Sequence, residues 1–459
     1  MEAERTFKIA VSENAADKER RRIFDENVSR YDAAVKQAKV QYSDLELARK
    51  RAGYIRAKSI NGLEKYLIEF EANMDSNGGK VLWAQNAEEA NSLILKVLKK
   101  CRVTKINRSF SLLADEIKID EALDAAGISA VKVSPGEYIL SMFDEDPRHP
   151  SSLLISKTFS DIKAVLQQKE QIAPKHNALE IVEFIRKKFR PVFQSNVASI
   201  TGANFIIADT GSVCLSENSG DAALNSVIPD IQIILAGIDK VIPSIINLDT
   251  LLPLYATYSS GQRMNAFNTI LSGPGKEGEK DGPRELYVIL IDNGRSEVLS
   301  QKFQRRALSC IDCGACHNAC PVYRIIGGQS YGTTYTGPIG SIITPWMKGP
   351  EEFMHLSYAS VSCGKYNDVC PVAINLNEQI LHNRNDSVKM GNHNFLEKIK
   401  MEGWSKYLRS RKWMDWKPIW KNIILKRSYP GKLLGTGVTI NEVNFKQLWE
   451  ERREGITRK

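Results

Sequence analysis

Six of the eight cysteines in this 459-residue chain fall between residues 310 and 370. The first four are spaced C-x2-C-x2-C-x3-C and are followed by proline, as in the bacterial run that binds a 4Fe–4S cluster. Three thiolates so spaced can each bind a different iron of one cubane. In two-cluster ferredoxins the fourth cysteine of each run binds the other cluster. We therefore expect one cluster to be bound by Cys310, Cys313, Cys316 and Cys370.

A second run ends at Cys370 but is incomplete. Tyr366 stands where a cysteine is expected, and Ser360 fills the remaining position of a full run. Hydroxyl ligands to such clusters are weak compared with thiolates. Because Cys370 is assigned to the first cluster, only Cys320 and Cys363 remain for a second one. We expect one secure 4Fe–4S cluster, with the second lost, incomplete or labile.

Other residues near these runs have competing interpretations. Zinc also binds thiolates at two-residue spacing, but the gaps of two, two and three followed by proline favour a cluster. His317 is expected to be a helix residue rather than a ligand, because the ligand spacing is already filled. Arg305 and Arg306 either raise the cluster potential or form a solvated helix start, and the sequence leaves both open. Cys101 and Cys214 are isolated in apolar surroundings and are expected to be small buried residues.

Short apolar segments alternate with amphipathic helices between about residues 80 and 295, which predicts a parallel α/β sheet. The predicted strands are Lys80–Ala84, Ile128–Val133, Phe205–Ala208, Ile231–Ala236 and Leu286–Ile291. The predicted helices are Glu116–Ala126, Ser160–Gln168 and Ala178–Lys188. Two turn-rich stretches, Gly202–Gly220 and Ser272–Pro283, interrupt the alternation, and such loops often line a site. No nucleophile motif, P-loop or pair of catalytic carboxylates is recognisable, so no catalytic residue is assigned.

Length and composition predict a multidomain globular protein with 42% hydrophobic and 25% charged residues. We expect a helical region at 1–76, an α/β domain at 77–297, a helical cluster-binding domain at 298–390 and a basic helical region at 391–459. The N-terminus lacks the apolar stretch of a secretory signal, which favours the cytoplasm.

The net charge of +9 resides in the C-terminal region. Residues 396–459 contain sixteen Lys and Arg against seven Asp and Glu, together with five of the seven tryptophans. Trp413, Trp416 and Trp420 are spaced to share one helix face. This face could pack on the chain itself, dock a partner subunit or contact an anionic membrane, and nucleic acid is the least favoured partner.

Motifs beyond the cysteines carry a resemblance that covers residues 20 to 450. They are PVYRIIGG at Pro321–Gly328, YTGPIGSIITP at Tyr335–Pro345, CGKYNDVCPVAI from Cys363, GGKVLWAQNAEEAN from Gly78, GANFIIADTGSVCL from Gly202, and EGEKDGPRELYVILIDNGRS from Glu277. In these segments the chain resembles the lactate utilization protein B family, iron–sulfur subunits of a bacterial three-subunit L-lactate oxidation system.

The resemblance implies an α/β LUD domain with the ribose-5-phosphate isomerase and CoA-transferase type of fold, followed by an all-α ferredoxin-like domain with two cysteine runs. It implies the same ligands, Cys310, Cys313, Cys316 and Cys370 for one cluster and Cys320 and Cys363 for the other. The implied partners are a cysteine-rich-domain protein and a second LUD protein. The implied role is to pass electrons from lactate oxidation to an acceptor.

Three functions therefore compete at this point. The leading one is an electron-transfer subunit, because clusters pass single electrons and the chain shows no flavin fingerprint. A second is a small-molecule enzyme, such as a transferase, with a structural cluster. A third is a redox-sensing cluster protein that uses its basic C-terminal region.

Overall fold

The structure is a computed structural model. It describes residues 2–172, 178–391, 399, 402–403, 405–406, 408–409, 449–450 and 452–453. The chain forms two compact units, Met1–Ser387 and Val388–Lys459. Of the C-terminal tryptophans, Trp449 is exposed, whereas Trp404, Trp413, Trp416 and Trp420 lie outside the described residues. The predicted tryptophan face therefore stays a prediction.

Nineteen α-helices and ten strands are defined within the described residues. The helices are α1 Glu2–Ala16, α2 Lys18–Ala38, α3 Leu45–Asn61, α4 Leu63–Ser76, α5 Ala87–Lys100, α6 Leu112–Glu116, α7 Ile119–Ala125, α8 Pro135–Ser141, α9 Phe159–Glu170, α10 Ala178–Ser195, α11 Asp221–Asn225, α12 Leu248–Ser260, α13 Arg295–Ser300, α14 Ala315–Ala319, α15 Pro321–Ile326, α16 Gly337–Lys348, α17 Pro350–Phe353, α18 Lys365–Asp368 and α19 Leu376–Lys389. The strands are β1 Lys80–Ala84, β2 Lys105–Arg108, β3 Ser129–Lys132, β4 Ala198–Gly202, β5 Phe205–Ile207, β6 Ser212–Glu217, β7 Ile231–Gly237, β8 Val241–Ile242, β9 Phe267–Leu271 and β10 Glu285–Ile291. Among the helices searched, none is long and apolar enough to cross a membrane.

Six strands form a wholly parallel sheet in the order β1-β10-β7-β4-β2-β3. Successive residues of β7 point to opposite faces and are buried on both, as expected for a parallel strand covered on each side. Ile233 and Leu235 pack with helices α5, α6 and α7, whereas Ile234 and Ala236 pack with α4 and the second sheet. The parallel sheet predicted from the sequence is confirmed.

The second sheet has four strands in the order β8-β5-β6-β9. Strands β5 and β6 form an antiparallel hairpin in which Phe205 pairs with Cys214. Gly211 lies in the hairpin turn with φ 60°, and a Cβ there would stand 2.3 Å from the Met74 backbone nitrogen, so only glycine fits. The stretch Gly202–Gly220, predicted to be turn-rich, thus contains the end of β4 and the whole of strands β5 and β6.

The predicted helix Glu116–Ala126 was wrong as one element. Glu116 is the last residue of α6 and Ile119–Ala125 form α7, and the two helices are separated at Lys118, whose φ of 54° is left-handed. Next to this break, Glu116 makes buried contacts with Arg295, Asn293 and Tyr335. Long-range ion pairing of this kind leaves no periodic signal in the local sequence.

The N-terminal helices pack against both the sheets and the cysteine region. Ala52 and Ile55 of α3 share a core with Phe205 of the second sheet and with Val372. Gly53 is required here, because a Cβ would lie 2.7 Å from the Val372 carbonyl oxygen. The cysteine region is thus held against the α/β part by the N-terminal helices.

Candidate metal centre

The backbone of the first cysteine run is bent sharply between its ligands. Asp312 and Gly314 have left-handed φ values of 54° and 77°, and α14 begins immediately afterwards. A Cβ on Gly314 would lie 2.7 Å from the His149 ring, so glycine is needed for packing as well as conformation. These bends bring three closely spaced cysteines to one side of the segment.

Four cysteines line one small cavity with apolar walls. They are Cys310, Cys313, Cys316 and Cys370, the set predicted for the first cluster. Cys320 and Cys363 do not line it. Backbone amides donate to two of these sulfurs, from Asp312 to Cys310 Sγ at 3.4 Å and from Ile374 to Cys370 Sγ at 3.3 Å. Hydrogen bonds to the sulfurs are among the features by which a protein tunes such a cluster.

The donor set fits a 4Fe–4S cluster better than a single ion. In the described part of the chain, no three His, Cys, Asp or Glu side chains converge closely enough to hold one metal ion. The four thiols instead surround a shared cavity, as they must when each binds a different iron. Burial raises the pKa of the Cys313 thiol to about 12 and raises that of the other three. A bound cluster would supply the positive charge that these thiolates require.

A lysine from the α/β region lies beside the first run. Lys240 Nζ is 2.6 Å from Asp312 Oδ2 and 3.1 Å from Asp239 Oδ2. Burial opposes the charge of Lys240, but these two carboxylates outweigh it and raise its pKa. The lysine is therefore a fixed cation near Cys310. The sequence contained no signal for it, because it lies 70 residues before the run.

Two arginines flank the fourth cysteine. Arg49 Nε donates to the Cys370 carbonyl oxygen at 3.0 Å. Arg306 donates to the Gly53 carbonyl and also lies close enough to Cys370 to interact with its charge. The sequence left open whether Arg306 lies near the cluster or in a solvated helix start, and the structure places it near Cys370. Arg49 was not predicted to lie near the site. His317 is buried within α14, with Nδ1 3.5 Å from Cys316 Sγ.

Arg56 joins the cysteine region to the second sheet. Its guanidinium is fully buried and donates to four backbone carbonyls. Two belong to Leu308 and Ser309, immediately before the first ligand, at 3.1 and 3.2 Å. The others are Val241, at 2.7 Å, and Asp239. This arginine fixes where the first run begins.

The second run repeats the backbone of the first. Ser362 and Gly364 have φ values of 52° and 77°, at the positions equivalent to Asp312 and Gly314. The side chains differ, however. Tyr366 is fully buried, and its hydroxyl is 3.0 Å from both Ser360 Oγ and Asn377 Oδ1. The fold of a second site is retained, but hydroxyls occupy two of its four positions.

A separate cleft of about 540 Å³ lies beside the cysteine cavity. It opens at the carboxyl ends of β2, β4 and β7, where open α/β sheets usually bind ligands. The stretch Gly202–Gly220 contributes eight of its lining residues, in line with the expectation that this stretch lines a site. The other stretch, Ser272–Pro283, does not line it.

Comparison with known proteins agrees with this arrangement. The LUD domain family model matches residues 67–291, and a 4Fe–4S dicluster domain model matches residues 306–374. Lactate utilization protein B of Bacillus cytotoxicus is 38% identical over 352 residues, covering 76% of this chain and 74% of that one. The chain belongs to the lactate utilization protein B family. The predicted LUD domain and 4Fe–4S cofactor are thereby confirmed.

Two further relatives show a similar extent of similarity. Lactate utilization protein B of Bacillus velezensis is 37% identical over 368 residues, covering 80% of this chain and 77% of that one. An uncharacterized electron transport protein, YkgF, of Escherichia coli is 38% identical over 343 residues, covering 75% of this chain and 72% of that one. The region matched by the dicluster model contains all six clustered cysteines. It also contains Ser360 and Tyr366, which stand at two positions where a complete second run would have cysteines.

Proposed function

We propose that this chain is the iron–sulfur electron-transfer subunit of a complex that oxidises L-lactate to pyruvate. The names of its relatives support a role in lactate utilization and electron transport. The observation that carries the proposal is the set of four buried thiols around one cavity, Cys310, Cys313, Cys316 and Cys370. When bound there, a 4Fe–4S cluster accepts and donates one electron at a time.

The residues around the site have supporting roles in this proposal. Apolar side chains such as Ile339 and Ile374 exclude water from the cavity. Lys240, Arg49 and Arg306 place positive charge around the thiolates, which favours the more negative, reduced state. The chain would thereby hold its cluster ready to accept an electron.

The partners and location are part of the same proposal. We infer that a cysteine-rich-domain protein and a second LUD protein supply the lactate chemistry, because single-electron carriers need a partner for a two-electron reaction. The proposal retains the cytoplasm as the location and the division at 1–76, 77–297, 298–390 and 391–459. The cluster alone gives the chain no means of oxidising lactate.

Iron and acid-labile sulfide analysis tests the cofactor part of the proposal. Anaerobically purified chain should contain about four of each, since one cubane holds four. Cys313→Ala should lose most of both, and Cys101→Ala, outside the cysteine runs, should lose none. A stable content near eight would contradict the single-cluster proposal and make Ser360, Tyr366 or an outside group a ligand.

A reduction assay tests the electron-transfer part. Lactate should reduce the cluster only when the two partner subunits are present, as followed by loss of visible absorbance. Turnover of lactate by the isolated chain with a dye acceptor would contradict a subunit that only transfers electrons.

A further inference from the structure

The cleft at the carboxyl ends of the parallel strands adjoins the proposed cluster site directly. Four residues line both cavities, namely Leu112, Pro150, Asp312 and Tyr335. A volume of about 540 Å³ lies within the range of pockets that hold small organic molecules. A ligand in this cleft would therefore be separated from the cysteine cavity by a wall one residue thick.

Two buried hydroxyls in the cleft lack a protein partner. Ser134 and Ser259 are 6% and 4% exposed, and both line the cleft. Neither hydroxyl makes a hydrogen bond with another described residue, and Ser134 does not cap α8. Neither oxygen is one of the fully enclosed side-chain atoms that lack a partner, so both hydroxyls face the open space of the cleft. Such hydroxyls indicate that the cleft receives a polar molecule.

The same cleft contains carboxyl groups that share a hydrogen. Ser219 Oγ is 3.0 Å from Glu217 Oε2 and also contacts Asp221 Oδ1, although one hydroxyl has only one hydrogen to donate. One carboxyl must therefore be protonated for both contacts to be hydrogen bonds. Burial, reinforced by the charge of Asp221, raises the pKa of Glu217 to about 7. Glu217 Oε1 also accepts from the Ala223 backbone amide at 2.8 Å, and no cation of the described residues is among the groups that shift the pKa of Glu217.

The cations that line the cleft are already paired. Lys240 is paired with Asp239 and Asp312, and Arg295 with Glu116 and Asp239. No free positive charge is therefore present among the described lining residues to bind a phosphate or carboxylate. The other titratable side chains lining the cleft are Tyr255 and Tyr335. Both are buried tyrosines whose pKa is raised by burial, so they are neutral near pH 7.

Part of the remaining wall is apolar and is formed by Phe110, Leu112, Leu113, Leu153 and Leu154. Other lining residues are small and polar, such as Ser109, Ser111, Asn204 and Asn265. A suitable ligand thus combines an apolar body with hydrogen-bond donors and carries no negative charge.

We propose that this cleft binds an uncharged hydroquinone-type ring, whose hydroxyl groups donate to the Glu217–Ser219–Asp221 group while the ring packs on the leucine wall. The choice of a redox-active ring rests on the proposed electron-transfer function, because such a ligand would lie against the cluster site. Ser134 and Ser259 complete its hydrogen bonds.

A fluorescence titration tests the site without requiring the cluster. The probe is 2-heptyl-4-hydroxyquinoline N-oxide, a hydroxylated ring compound whose emission is quenched on binding, added to the full-length chain. We expect saturable binding of one probe per chain, displaced by methylhydroquinone and not by the anionic hydroquinone-2-sulfonate. Because the acceptor carboxylate must be deprotonated, affinity should fall about tenfold from about pH 8 to about pH 6.

Variants locate the binding. Ala203→Phe fills the cleft and should weaken the probe at least tenfold, whereas Ser134→Ala, which loses no protein hydrogen bond, should weaken it without changing thermal stability. Glu217→Gln should remove the pH dependence, and the exposed Glu277→Gln should leave it unchanged.

Unsaturable binding, or binding unaffected by Ala203→Phe and Ser134→Ala, would overturn the inference. Equal displacement by the sulfonated ring would overturn the uncharged ligand class. Neither result alters iron content or reduction by partner subunits, so failure of this site is distinguishable from failure of the proposed function.

Discussion

Replacing Ser360 and Tyr366 by cysteine should create a second cluster in this chain. The backbone of the second run already has the left-handed residues Ser362 and Gly364 at the positions found in the first run. The double variant Ser360→Cys/Tyr366→Cys would therefore place thiols on an existing frame and complete a set with Cys363. Together with Cys320, four thiolates would be available, and iron should rise from about four to about eight per chain.

The magnitude of the accompanying destabilisation follows from the burial of Tyr366. This side chain is fully buried and packs in the core that contains Cys370 and Val372. Truncating a buried aromatic ring costs about 3–5 kcal/mol, so Tyr366→Cys alone should destabilise the chain by that amount without adding iron. The double variant should recover stability only when its second cluster is assembled, because metal ligation contributes to the folding free energy.

The matched control is Tyr366→Phe, which keeps the ring and removes the hydroxyl. It loses the 3.0 Å contacts to Ser360 and Asn377 and should cost about 1–2 kcal/mol, with iron unchanged near four. Iron and sulfide analysis, low-temperature EPR of the reduced protein and urea unfolding measure these effects. A correctly folded double variant that still contains four irons would refute the idea that missing thiols alone prevent the second cluster.

Three further predictions concern the surroundings of the first site. Arg56→Met removes the donor to four backbone carbonyls and should lower the free energy of unfolding by about 3–5 kcal/mol in urea titrations. The control Lys58→Met, at an exposed position, should change the free energy of unfolding by less than about 0.5 kcal/mol. Lys240→Met should lower the cluster potential by roughly 50–100 mV in an EPR-monitored titration, because two unit charges at an assumed separation of about 8 Å interact by about 2 kcal/mol at an effective dielectric of 20. An unchanged potential would contradict this role. Because burial and Asp221 raise the pKa of Glu217 to about 7, the folded state binds the extra proton between about pH 4.5 and 7. Unfolding free energy should therefore fall by up to about 1.4 kcal/mol per unit as pH rises through that window, and Glu217→Gln should remove this slope.

Local pattern was enough to predict the elements with strong periodicity. The apolar strands Ile231–Gly237 and Glu285–Ile291 lie next to one another in the sheet, and the predicted α/β alternation is confirmed. Strand β2 was missed because its buried residues include Asn107 and Arg108. A prediction from hydrophobic patterns assigns polar residues such as these to the surface. Strand β5 was predicted as Phe205–Ala208, but its hairpin partner β6, Ser212–Glu217, was missed.

For the metal centre, spacing predicted a set of four thiols that line one cavity in the structure, but it did not predict the residues around them. In ferredoxins with two cysteine runs, the last cysteine of one run binds the cluster of the other run. This rule led to the prediction that Cys370 lies beside the first three cysteines, and all four line one cavity. Lys240, Arg49 and Arg56 reach the site from distant elements, and no motif links them to the cysteines. Only the packed structure brings these charges together.

The contacts among these distant residues argue that the cluster region and the LUD domain work as one unit. Lys240 bonds Asp312 of the first cysteine run, and its neighbour Asp239 bonds Arg295, which bonds the Tyr335 hydroxyl at 2.9 Å. Asp312 and Tyr335 each line both the cysteine cavity and the cleft. A change of charge at the cluster would therefore act on a buried ion-pair network that also borders the cleft. If the cleft binds its ligand as proposed, occupancy of the cleft and the oxidation state of the cluster should influence each other, since binding linkage is reciprocal.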